Sequence, residues 1–567
     1  MKIFKFFPLA CAALMMSACS SDNDIEGGAT KPGSDPQYLA VNIVNVGTTP
    51  TRAGEYENGT EEESKIKKVR FYFFNGDGSP YLIKNPNVTG VTGGGSVNYL
   101  EATPGDDTTT PGSSANVEKI TQTVLVINGE QNAAPAAIMA VVNPETVEPA
   151  TLKNGATMRL SELRKAAVGQ NFYKKDASTG ALSDFVMSNS VYVNTGEDVC
   201  ASLVAGHIAT SQETAMTKPV DLYVERVVAK VTANVDLNVF EKGNGTNWDE
   251  TKYGTKTAVG KIGAYDVYAV IDGWGLADED GKAKVEKSVN TAWTDAILGI
   301  SPWTTYDYRR SFWETSVEFN AGTNQPVNHK FNDFNANMKD TLYTLPNTPD
   351  AKITNVYDNN VTKFLVAATL KYKDEHDNWH LAEICRYNGV MILGVDNLKT
   401  QVALTFSKYY TSTDGSNYTQ LTKDDITFAE PTTSMKNYQV TPTLAADLTG
   451  TKQYYTKASD GSYTPVTKDD VNTAIGENKA EIRTDGKAYY YVPIKHLGKA
   501  GELGEYGVVR NHFYKITLTG IKGFGTPVYN PELVIDPTVP TYDNTYLAAR
   551  VQVLQWRVVN QNVSLGE

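Results

Sequence analysis

The sequence has few features of an enzyme, of a nucleic-acid-binding protein or of a disulfide-stabilised protein. Only four of its 567 residues are cysteines, and its net charge is −13. An acidic chain without lysine and arginine clusters argues against nucleic acid as a partner. No nucleophile elbow, P-loop, zinc pattern or dinucleotide fingerprint is present, so we expect no catalytic site, metal or cofactor. No stretch after residue 20 is long and apolar enough to span a bilayer.

The four cysteines do not suggest a disulfide framework. Cys11 and Cys19 lie close to the N-terminus, whereas Cys200 and Cys385 are far apart in the sequence. An oxidising compartment would allow the latter two to pair. Two separate buried thiols are the favoured interpretation, because free cysteine is among the most buried residue types.

The first residues have the organisation of a lipoprotein export signal. A positively charged start precedes the apolar segment Phe6–Met16, which is too short for a membrane span. Ser17-Ala18-Cys19 then gives the small-small-Cys ending of a lipobox, although Met16 stands where Leu is usual. We expect residues 1–18 to be removed as a signal peptide and Cys19 to carry the lipid.

Behind this signal lies one predicted strand with an exposed hinge after it. Tyr38–Val46 is rich in β-branched residues and alternates as a strand does. The segment Thr48–Gly54 is typical of a turn and contains a lone arginine, Arg52. Cleavage at the hinge would remove the strand and open a hydrophobic groove, which suggests assembly rather than catalysis. Residues 19–52 are therefore predicted to be a propeptide.

The rest of the chain predicts an all-β fold. Val, Ile, Thr and Tyr are abundant, and alternating runs are separated by Gly, Asn and Asp turns, which indicates β-sandwiches. The chain is too long for one hydrophobic core. The longest strand signal, Val227–Val239, predicts a boundary between sandwiches at residues 53–238 and 239–567. Other predicted strands are Lys67–Phe74, Thr123–Ile127, Ile138–Val142, Lys363–Leu370, Val402–Ser407, Tyr489–Ile494 and Phe513–Thr519, and Leu160–Ala167 is predicted to be a short helix.

One motif occurs twice. Tyr409–Ile426 and Tyr454–Val471 share a Tyr-Tyr-Thr start, an Asp-Gly turn and a Thr-Lys-Asp-Asp end, so each predicts a hairpin. One interpretation is an adhesive module. The favoured interpretation is a duplicated surface hairpin, because two copies are too few for a solenoid.

Three further patterns are weak candidates for binding. His376 and His380 have a metal-binding spacing, but the residues between them predict a turn, so we expect no metal there. Asp278–Gly281 lacks the closing Glu of a calcium loop and is interpreted as an acidic turn. The aromatic stretch Trp303–Trp313 could stack on sugars, although packing within the second sandwich is favoured.

The last predicted strand resembles the first in its pattern. In Ala549–Val559 the apolar residues change parity midway, and Tyr38–Val46 does the same. Such a switch suits a strand that crosses between sheets or carries a bulge. Two strands with one pattern could occupy the same groove in turn. The apolar side chains of the C-terminal strand are Val551, Val553, Leu554, Trp556 and Val558.

Several motifs together resemble those of a known family, the shaft pilins of Bacteroidales type V fimbriae, most closely the minor (short) fimbrium subunit. The resemblance spans nearly the whole chain, and its C-terminal motifs are the most specific. The motifs are Cys19 in its lipobox, Arg52-Ala53-Gly54, Val224–Lys230, Leu345–Thr348, Val509–Lys515, Gly523–Pro527 and Val551–Val563. The duplicated hairpin is a departure from the family.

This resemblance implies a structural subunit of a cell-surface fimbrium that supports adhesion. It implies two tandem transthyretin-like β-sandwiches and transport to the outer membrane as a lipoprotein. Cleavage between Arg52 and Ala53 by an Arg-specific surface protease would then release the first strand. Polymerisation would follow by strand exchange, with the C-terminal strand as donor.

The partners implied are other copies of the chain, fimbrial anchor and tip subunits, and a host or bacterial surface receptor. Two alternatives remain open. One is a surface glycan-binding lipoprotein that keeps its N-terminus and uses the aromatic stretch Trp303–Trp313. The other is a fimbrial tip or anchor subunit. An anchor would not need Arg52 and a tip would not need a donor strand, so the presence of both features favours a shaft subunit.

Overall fold

The structure is a computed structural model, and most of the chain is described. The described residues are 37–45, 60–88, 94–103, 119–130, 133–148, 150–169, 171–194, 197–199, 201–243, 248–288, 314–317, 327–349, 351–354, 361–432, 438–496, 500–535, 537, 546–555 and 558–560.

The described residues form an all-β fold with a few short helices, as the sequence predicts. None of these helices is long and apolar enough to cross a membrane. The helices are α1 (Glu61–Ser64), α2 (Leu160–Leu163), α3 (Gln212–Met216), α4 (Val395–Thr405) and α5 (Lys468–Ile475).

The strands of the N-terminal part are mostly short. They are β1 (Gln37–Asn45), β2 (Val69–Phe74), β3 (Ile83–Asn85), β4 (Gly95–Val97), β5 (Tyr99–Ala102), β6 (Lys119–Ile127), β7 (Ala137–Val142), β8 (Ala167–Val168), β9 (Lys174–Lys175), β10 (Leu182–Ser183), β11 (Met187–Asn189), β12 (Tyr192–Asn194), β13 (Glu197–Val199), β14 (Ser202–Leu203) and β15 (Val220–Arg226).

The strands of the C-terminal part include the longest in the described chain. They are β16 (Ala229–Val235), β17 (Phe240–Lys242), β18 (Tyr253–Thr255), β19 (Gly260–Ile262), β20 (Tyr265–Ala277), β21 (Ala283–Lys284), β22 (Thr341–Thr344), β23 (Lys363–Lys373), β24 (Trp379–Leu381), β25 (Ile384–Tyr387), β26 (Val390–Leu393), β27 (Tyr409–Ser412), β28 (Thr419–Gln420), β29 (Ile426–Ala429), β30 (Gln439–Leu444), β31 (Gln453–Lys457), β32 (Tyr463–Val466), β33 (Ala480–Ile482), β34 (Lys487–Pro493), β35 (His512–Lys522), β36 (Thr526–Pro527), β37 (Tyr546–Gln555) and β38 (Val558–Asn560).

The N-terminal strands build one large sheet in the order β5-β2-β7-β11-β15-β1-β6, with β14 also paired to β7. Strand β2 is buried along its whole length, since both faces of this sheet are covered. Phe71 and Phe73 enter a core with Leu39 and Leu222. Tyr72 and its neighbours face the opposite way and pack in a second core.

Two further sheets enclose a core in the C-terminal part. One has the order β22-β16-β35-β37-β38, and the other has the order β17-β18-β20-β23-β34-β36. Val231 and Tyr514 from the first sheet pack with Trp274 and Phe364 from the second. This arrangement of two sheets around a shared apolar layer is that of a β-sandwich.

A lobe of residues 384–482 lies between β24 and β34 in the sequence. It contains the sheets β26-β25-β33-β30-β29 and β28-β27-β31-β32 together with α4 and α5. Its core includes Leu398, Val402, Val440 and Val471. Both copies of the duplicated motif lie in this lobe.

The duplicated hairpins are confirmed. Strands β27 and β31 pair antiparallel with each other, and β28 and β32 pair with them as the outer strands. Gly415 and Gly461 have φ values of 70° and 89° in the two turns, where glycine avoids the steric cost of a side chain. The repeated Thr-Lys-Asp-Asp caps a helical turn in each copy, at Thr422 and Thr467.

The predicted strand Val402–Ser407 is wrong, because this segment belongs to helix α4. Gly394 precedes the helix with a φ of 86°, and Leu398 and Val402 are both fully buried one turn apart. The alternation of Val402, Leu404 and Phe406 imitates a strand, but Leu404 is 63% exposed. An apolar run this short fits both the two-residue repeat of a strand and the 3.6-residue repeat of a helix. The burial pattern here follows the helical repeat.

The predicted long strand Val227–Val239 is also wrong in its extent. Strand β16 covers only Ala229–Val235, and Val227 and Val228 are buried outside any strand. The preceding strand β15 belongs to a different sheet. The chain therefore passes from the N-terminal sheet to a C-terminal sheet through two buried valines. The predicted division at residue 238 stays a prediction.

The short helix is real but ends earlier than predicted, at Leu163 rather than Ala167. The other predicted strands are present with shifted ends. For example, β23 extends to Lys373 and β2 begins only at Val69.

Candidate assembly groove

The N-terminal strand β1 lies inside the large sheet rather than at its edge. It pairs parallel with β15, from Val41 opposite Val220 to Asn45 opposite Val224. It pairs antiparallel with β6 along its entire length. Hydrogen bonding on both sides makes β1 an interior strand although it precedes every other strand in the described chain.

The middle of β1 is fully buried. Leu39, Ala40 and Val41 have no exposed surface. Leu39 and Val41 pack in the same core as Leu125 and Leu222, which belong to the two neighbouring strands. Helix α3 contacts β1 and contributes to covering the sheet here. Burying Leu39 and Val41 contributes roughly 1.5–3 kcal/mol each.

Loss of β1 would convert this part of the sheet into a groove. Strands β15 and β6 would each gain an unpaired edge, and the core residues that touch β1 would meet water. Unpaired edges next to an apolar surface readily accept another strand. The groove offers a parallel neighbour on one side and an antiparallel neighbour on the other, so it can pair with an incoming strand along both of its edges.

The chain after the hinge is held separately from β1. Helix α1 begins after Thr60, whose side chain accepts a hydrogen bond from the backbone N–H of Glu63, while the Glu63 carboxylate accepts one from the N–H of Thr60. This reciprocal cap is a strong start signal for so short a helix. The predicted processing residues Arg52 and Ala53 lie outside the described residues, between the end of β1 and the start of α1.

Helix α1 is fixed by a buried charged cluster, here called the α1 clamp, which consists of Glu63, Arg226, Lys230 and Tyr343. Arg226 donates from Nε to the Glu63 carbonyl at 2.7 Å and from Nη2 to the Ser64 hydroxyl at 2.8 Å. Lys230 Nζ lies 2.8 Å from the Glu63 carboxylate, and the Tyr343 hydroxyl donates to the same group.

The clamp shifts the pKa values of its members in the directions expected for buried, paired groups. Burial lowers the pKa of Arg226 to about 10, although the Glu63 charge opposes this. Burial disfavours the ionised form of Glu63, but the hydrogen bond and charge of Lys230 outweigh it, so the Glu63 pKa is lowered. Burial raises the pKa of Tyr343, and the negative charge of Glu63 raises it further. Arg226 and Glu63 are therefore both charged at neutral pH.

The clamp also connects the two parts of the chain. Arg226 is the last residue of β15, which is the parallel neighbour of β1, and it donates to Asn511 at 3.1 Å. Lys230 and Tyr343 come from β16 and β22, which pair in a C-terminal sheet. Cleavage in the hinge would thus separate β1 from a segment that stays attached to both parts.

The predicted donor strand is paired within its own chain. Strand β37 runs antiparallel to β35, from His512 opposite Gln555 to Lys522 opposite Tyr546, with an irregularity between Leu518 and Gly520. Strand β38 folds back on β37. The backbone of Val551, Val553 and Leu554 lies in β37 and that of Val558 in β38, whereas Trp556 lies outside the described residues.

Other predicted candidates do not form a site. The aromatic stretch Trp303–Trp313 and Cys200 lie outside the described residues, and Cys385 is a buried free thiol, with burial raising its pKa to about 12. His376 and His380 flank a turn in which His380 Nε2 lies 2.8 Å from Asp374. No group of three or more potential metal ligands occurs among the described residues.

The acidic segment Asp278–Gly281 is a bend in which Glu279 bridges Val327, rather than the predicted turn, and its aspartates are not solvated. Asp278 and Asp280 have no exposed surface, and Asp278 forms an ion pair with the equally buried Lys363. The sequence did not indicate this ion pair, because Asp278 and Lys363 lie far apart in the chain. The α1 clamp was missed for the same reason, although Arg226 and Lys230 flank buried valines and are unusual there.

A comparison with protein families identifies the C-terminal region. Residues 483–562 match the family described as "Major fimbrial subunit protein type IV, Fimbrillin, C-terminal". The matched region runs from just before β34 to the end of the chain's last described strand, β38, and contains β37. No curated protein shows a significant match to the chain.

The solved structures that match this chain have low identities and low TM-scores. A fimbrilin from Porphyromonas gingivalis W83 is 14% identical with a TM-score of 0.34, covering 92% of this chain and 99% of its own. The tip fimbrial protein Mfa3 of the same species is 10% identical with a TM-score of 0.27, covering 91% and 99%. A fimbrial assembly protein from Parabacteroides distasonis is 9% identical with a TM-score of 0.27, covering 61% and 98%.

The functional assignment therefore depends on the family match of the C-terminal region. Fimbrillins are structural proteins of cell-surface fimbriae rather than enzymes, and the match supports a fimbrial subunit. The C-terminal region of this chain, residues 483–562, matches the fimbrillin C-terminal family.

Proposed function

We propose that this chain is a shaft subunit of a fimbrium, of the kind found in the minor (short) fimbrium, and that it polymerises by strand exchange. The carrying observation is the position of β1, an interior strand that precedes Arg52 in the sequence and whose middle residues, Leu39, Ala40 and Val41, are fully buried. A strand so placed stabilises the precursor, and its removal by cleavage at Arg52 creates the acceptor groove.

In this proposal the C-terminal strand of a neighbouring copy fills the groove. Strand β37 is long enough to replace β1, since it spans Tyr546–Gln555 against Gln37–Asn45. Strand β37 would give up its hydrogen bonds with β35 and form new ones with β15 and β6 of the neighbouring copy, as in domain swapping. The contact is heterologous, because the donor and acceptor surfaces differ, so it propagates as a filament.

The precursor would reach the outer membrane as a lipoprotein through Cys19 and lose that anchor when an Arg-specific surface protease cleaves after Arg52. The proposed sandwiches are residues 53–238 and 239–567, both transthyretin-like, with the lobe as an insertion in the second. Proposed partners are further copies of the chain, anchor and tip subunits, and a surface receptor.

Substitution of Arg52 tests the processing step. We expect Arg52→Ala to leave a lipidated monomer on the cell surface, and Arg52→Lys to behave in the same way if the protease requires arginine. The measurement is the mature N-terminal sequence together with electron microscopy of the cell surface. Fibres from Arg52→Ala cells with a mature N-terminus at Ala53 would contradict the proposal.

A surface glycan-binding lipoprotein would keep its N-terminus and Cys19, and would not depend on Arg52. A tip subunit would not need a donor strand. The same experiment therefore separates the shaft proposal from the first alternative, and truncation of the C-terminal strand separates it from the second.

A further inference from the structure

Arginine and lysine lie in different parts of the fold. The chain has 12 arginines and 40 lysines. Seven arginine side chains are described, and four of them are at most 3% exposed, namely Arg70, Arg226, Arg483 and Arg510. Of the seven, Arg159 alone is exposed. Positive charge on the described surface is therefore supplied mainly by lysine.

The buried arginines use the fork of the guanidinium to bind several groups at once. Arg483 donates to three main-chain carbonyls at 2.7–3.3 Å, and Arg510 donates to two, at 2.7 and 3.2 Å. Arg70 donates from two nitrogens to one carboxylate oxygen of Glu101, at 2.6 and 2.9 Å. The single ammonium of lysine does not reproduce this geometry. These sites therefore favour arginine and keep its side chain inside the fold, where the specificity pocket of a protease does not reach it.

Two further arginines, Arg164 and Arg386, are half-buried and lie in hydrogen-bonded backbone. Arg386 is in β25, and its main chain pairs with β26 on one side and with β33 on the other. Arg164 caps the end of helix α2, where its N–H donates to the Leu160 carbonyl at 3.0 Å. Proteins that bind an extended peptide often pair with its backbone as with an added strand. Both segments would first have to leave their own hydrogen bonds, which requires local unfolding.

Arg159 has an exposed side chain, but the peptide bond after it is held on both sides. The Arg159 carbonyl accepts hydrogen bonds from the N–H groups of Glu162 and Leu163, both at 3.0 Å. The N–H of Leu160 donates to the Gly78 carbonyl, also at 3.0 Å. The bond that an arginine-specific protease would cut is thus occupied at its carbonyl and at its N–H.

We propose that the fold itself protects every described arginine from an arginine-specific protease, so that the enzyme which removes β1 does not cut the subunit at these positions. This inference rests on the proposed processing at Arg52 and adds the property that makes such an enzyme compatible with a stable shaft. None of the seven described arginines is followed by proline in the sequence. Their local sequences are therefore cleavable, and protection comes from burial and hydrogen bonding of the chain around them.

Several lysines lack this protection. Lys153, Lys282 and Lys352 are exposed and lie outside helices and strands. Exposed loop positions are where proteolytic nicking concentrates. A protease specific for lysine should therefore cut the folded chain, whereas one specific for arginine should not.

The test uses a full-length background chain in which arginine remains only at the seven described positions. Its five substitutions are at arginines whose side chains lie outside the described residues: Arg52→Lys, Arg309→Lys, Arg310→Lys, Arg550→Lys and Arg557→Lys. The folded chain is incubated with endoproteinase Arg-C or, in parallel, with endoproteinase Lys-C, and the cut positions are mapped by mass spectrometry. We expect Arg-C to leave the folded chain intact and to cut at all seven positions after heat unfolding. We expect Lys-C to cut the folded chain at one or more of the three exposed lysines.

Leu448→Arg in the same background supplies a positive control. Leu448 is 96% exposed in the loop between β30 and β31. Arg-C should cut this variant after residue 448 at least about tenfold faster than it degrades the matched Leu448→Lys chain.

Cleavage of the folded background chain by Arg-C at any of the seven arginines would overturn the proposal. Failure of Lys-C to cut at any of the three exposed lysines, or failure of Arg-C to cut Leu448→Arg, would also overturn it. Either result would show that the fold resists proteases wherever their target residue lies. Because the background chain lacks Arg52, these outcomes are separate from those of the processing experiment.

Discussion

At the scale of single residues, the α1 clamp joins the segment after the hinge to residues of β15, β16 and β22. Arg226 is 3% exposed, and its guanidinium reaches the Glu63 carbonyl, the Ser64 hydroxyl and the Asn511 side chain. Lys230 and Tyr343 converge on the same glutamate. A buried charge cluster of this kind tolerates the loss of one member poorly, because the others stay buried without compensation.

Arg226→Met should therefore destabilise the chain by about 3–5 kcal/mol. The methionine keeps the apolar stem but leaves Glu63 without one of its two cations. Urea unfolding followed by tryptophan fluorescence measures the change. The control is Lys67→Met, which removes a half-exposed partner of Asp184 and should cost about 0–1 kcal/mol. Equal effects of the two substitutions would show that the clamp adds no stability.

A second buried cluster predicts how stability depends on pH. Glu286 has no exposed surface, and neither carboxylate oxygen has a hydrogen-bond partner within the described residues. Burial raises its pKa well above the usual value, while the charges of Arg510 and Lys287 oppose the shift and that of Glu225 adds to it. Burial likewise raises the pKa of the neighbouring Glu314 to about 7.

The sign of this dependence follows from proton binding. Both acids hold their protons more tightly in the folded chain than in the unfolded chain, whose glutamate pKa is near 4.5. Their contribution to stability is fully present below about pH 4.5 and is lost as pH rises through the folded pKa, near 7 for Glu314. Glu286→Gln should reduce this loss and stabilise the chain by about 1–3 kcal/mol at pH 8. Unfolding temperatures at pH 5 and pH 8 check this, and an unchanged difference between the two would contradict it.

At the scale of elements, alternation and turn residues predicted most strands, because side chains in strands repeat every two residues. The duplicated hairpins were predictable from Asp-Gly and from the capping residues Thr422 and Thr467. Helix α4 was not predictable, because Val402 and its apolar neighbours fit both the helical and the strand repeat. Only the position of the lobe core decides between the two. The groove itself was predictable in outline, since Tyr38–Val46 is a good strand that precedes an exposed arginine. Its parallel pairing with β15 was not, because the sequence does not specify the neighbours of a strand.

Removal of the C-terminal strand should block polymerisation without unfolding the chain. Truncation after Asn544 removes β37 and β38, which lie at one end of their sheet beyond β35. We expect a soluble, folded protein that does not polymerise, because the core between the two C-terminal sheets retains β16, β22 and β35. Circular dichroism and electron microscopy measure the two properties.

The same truncation has two outcomes that would contradict donation by this strand. An unfolded product would show that β37 is an essential internal strand. A folded product that still forms fibres would exclude this segment as the donor. A shorter truncation after Asn560 is the matched control, since it keeps both strands, and it should still polymerise.

At the scale of the whole molecule, the sequence predicted an all-β chain with more than one core, and the structure agrees in fold class. The lobe was not predicted as a unit, because the strands that close it, β25 and β33, are far apart in the sequence and pair only in the fold. The buried pair of Asp278 and Lys363 was hidden for the same reason. Long-range pairs of this kind leave no local pattern, and they decide where the clamp and the buried acids lie.

The central claim is that removal of β1 switches the chain from a monomer to a polymer. The most direct measurement is negative-stain electron microscopy of the purified chain before and after complete cleavage at Arg52, under otherwise identical conditions. The account predicts single particles before cleavage and filaments afterwards, with the β1 peptide absent from the filaments by mass spectrometry. Filaments from the uncleaved chain, or filaments that retain the β1 peptide, would contradict it.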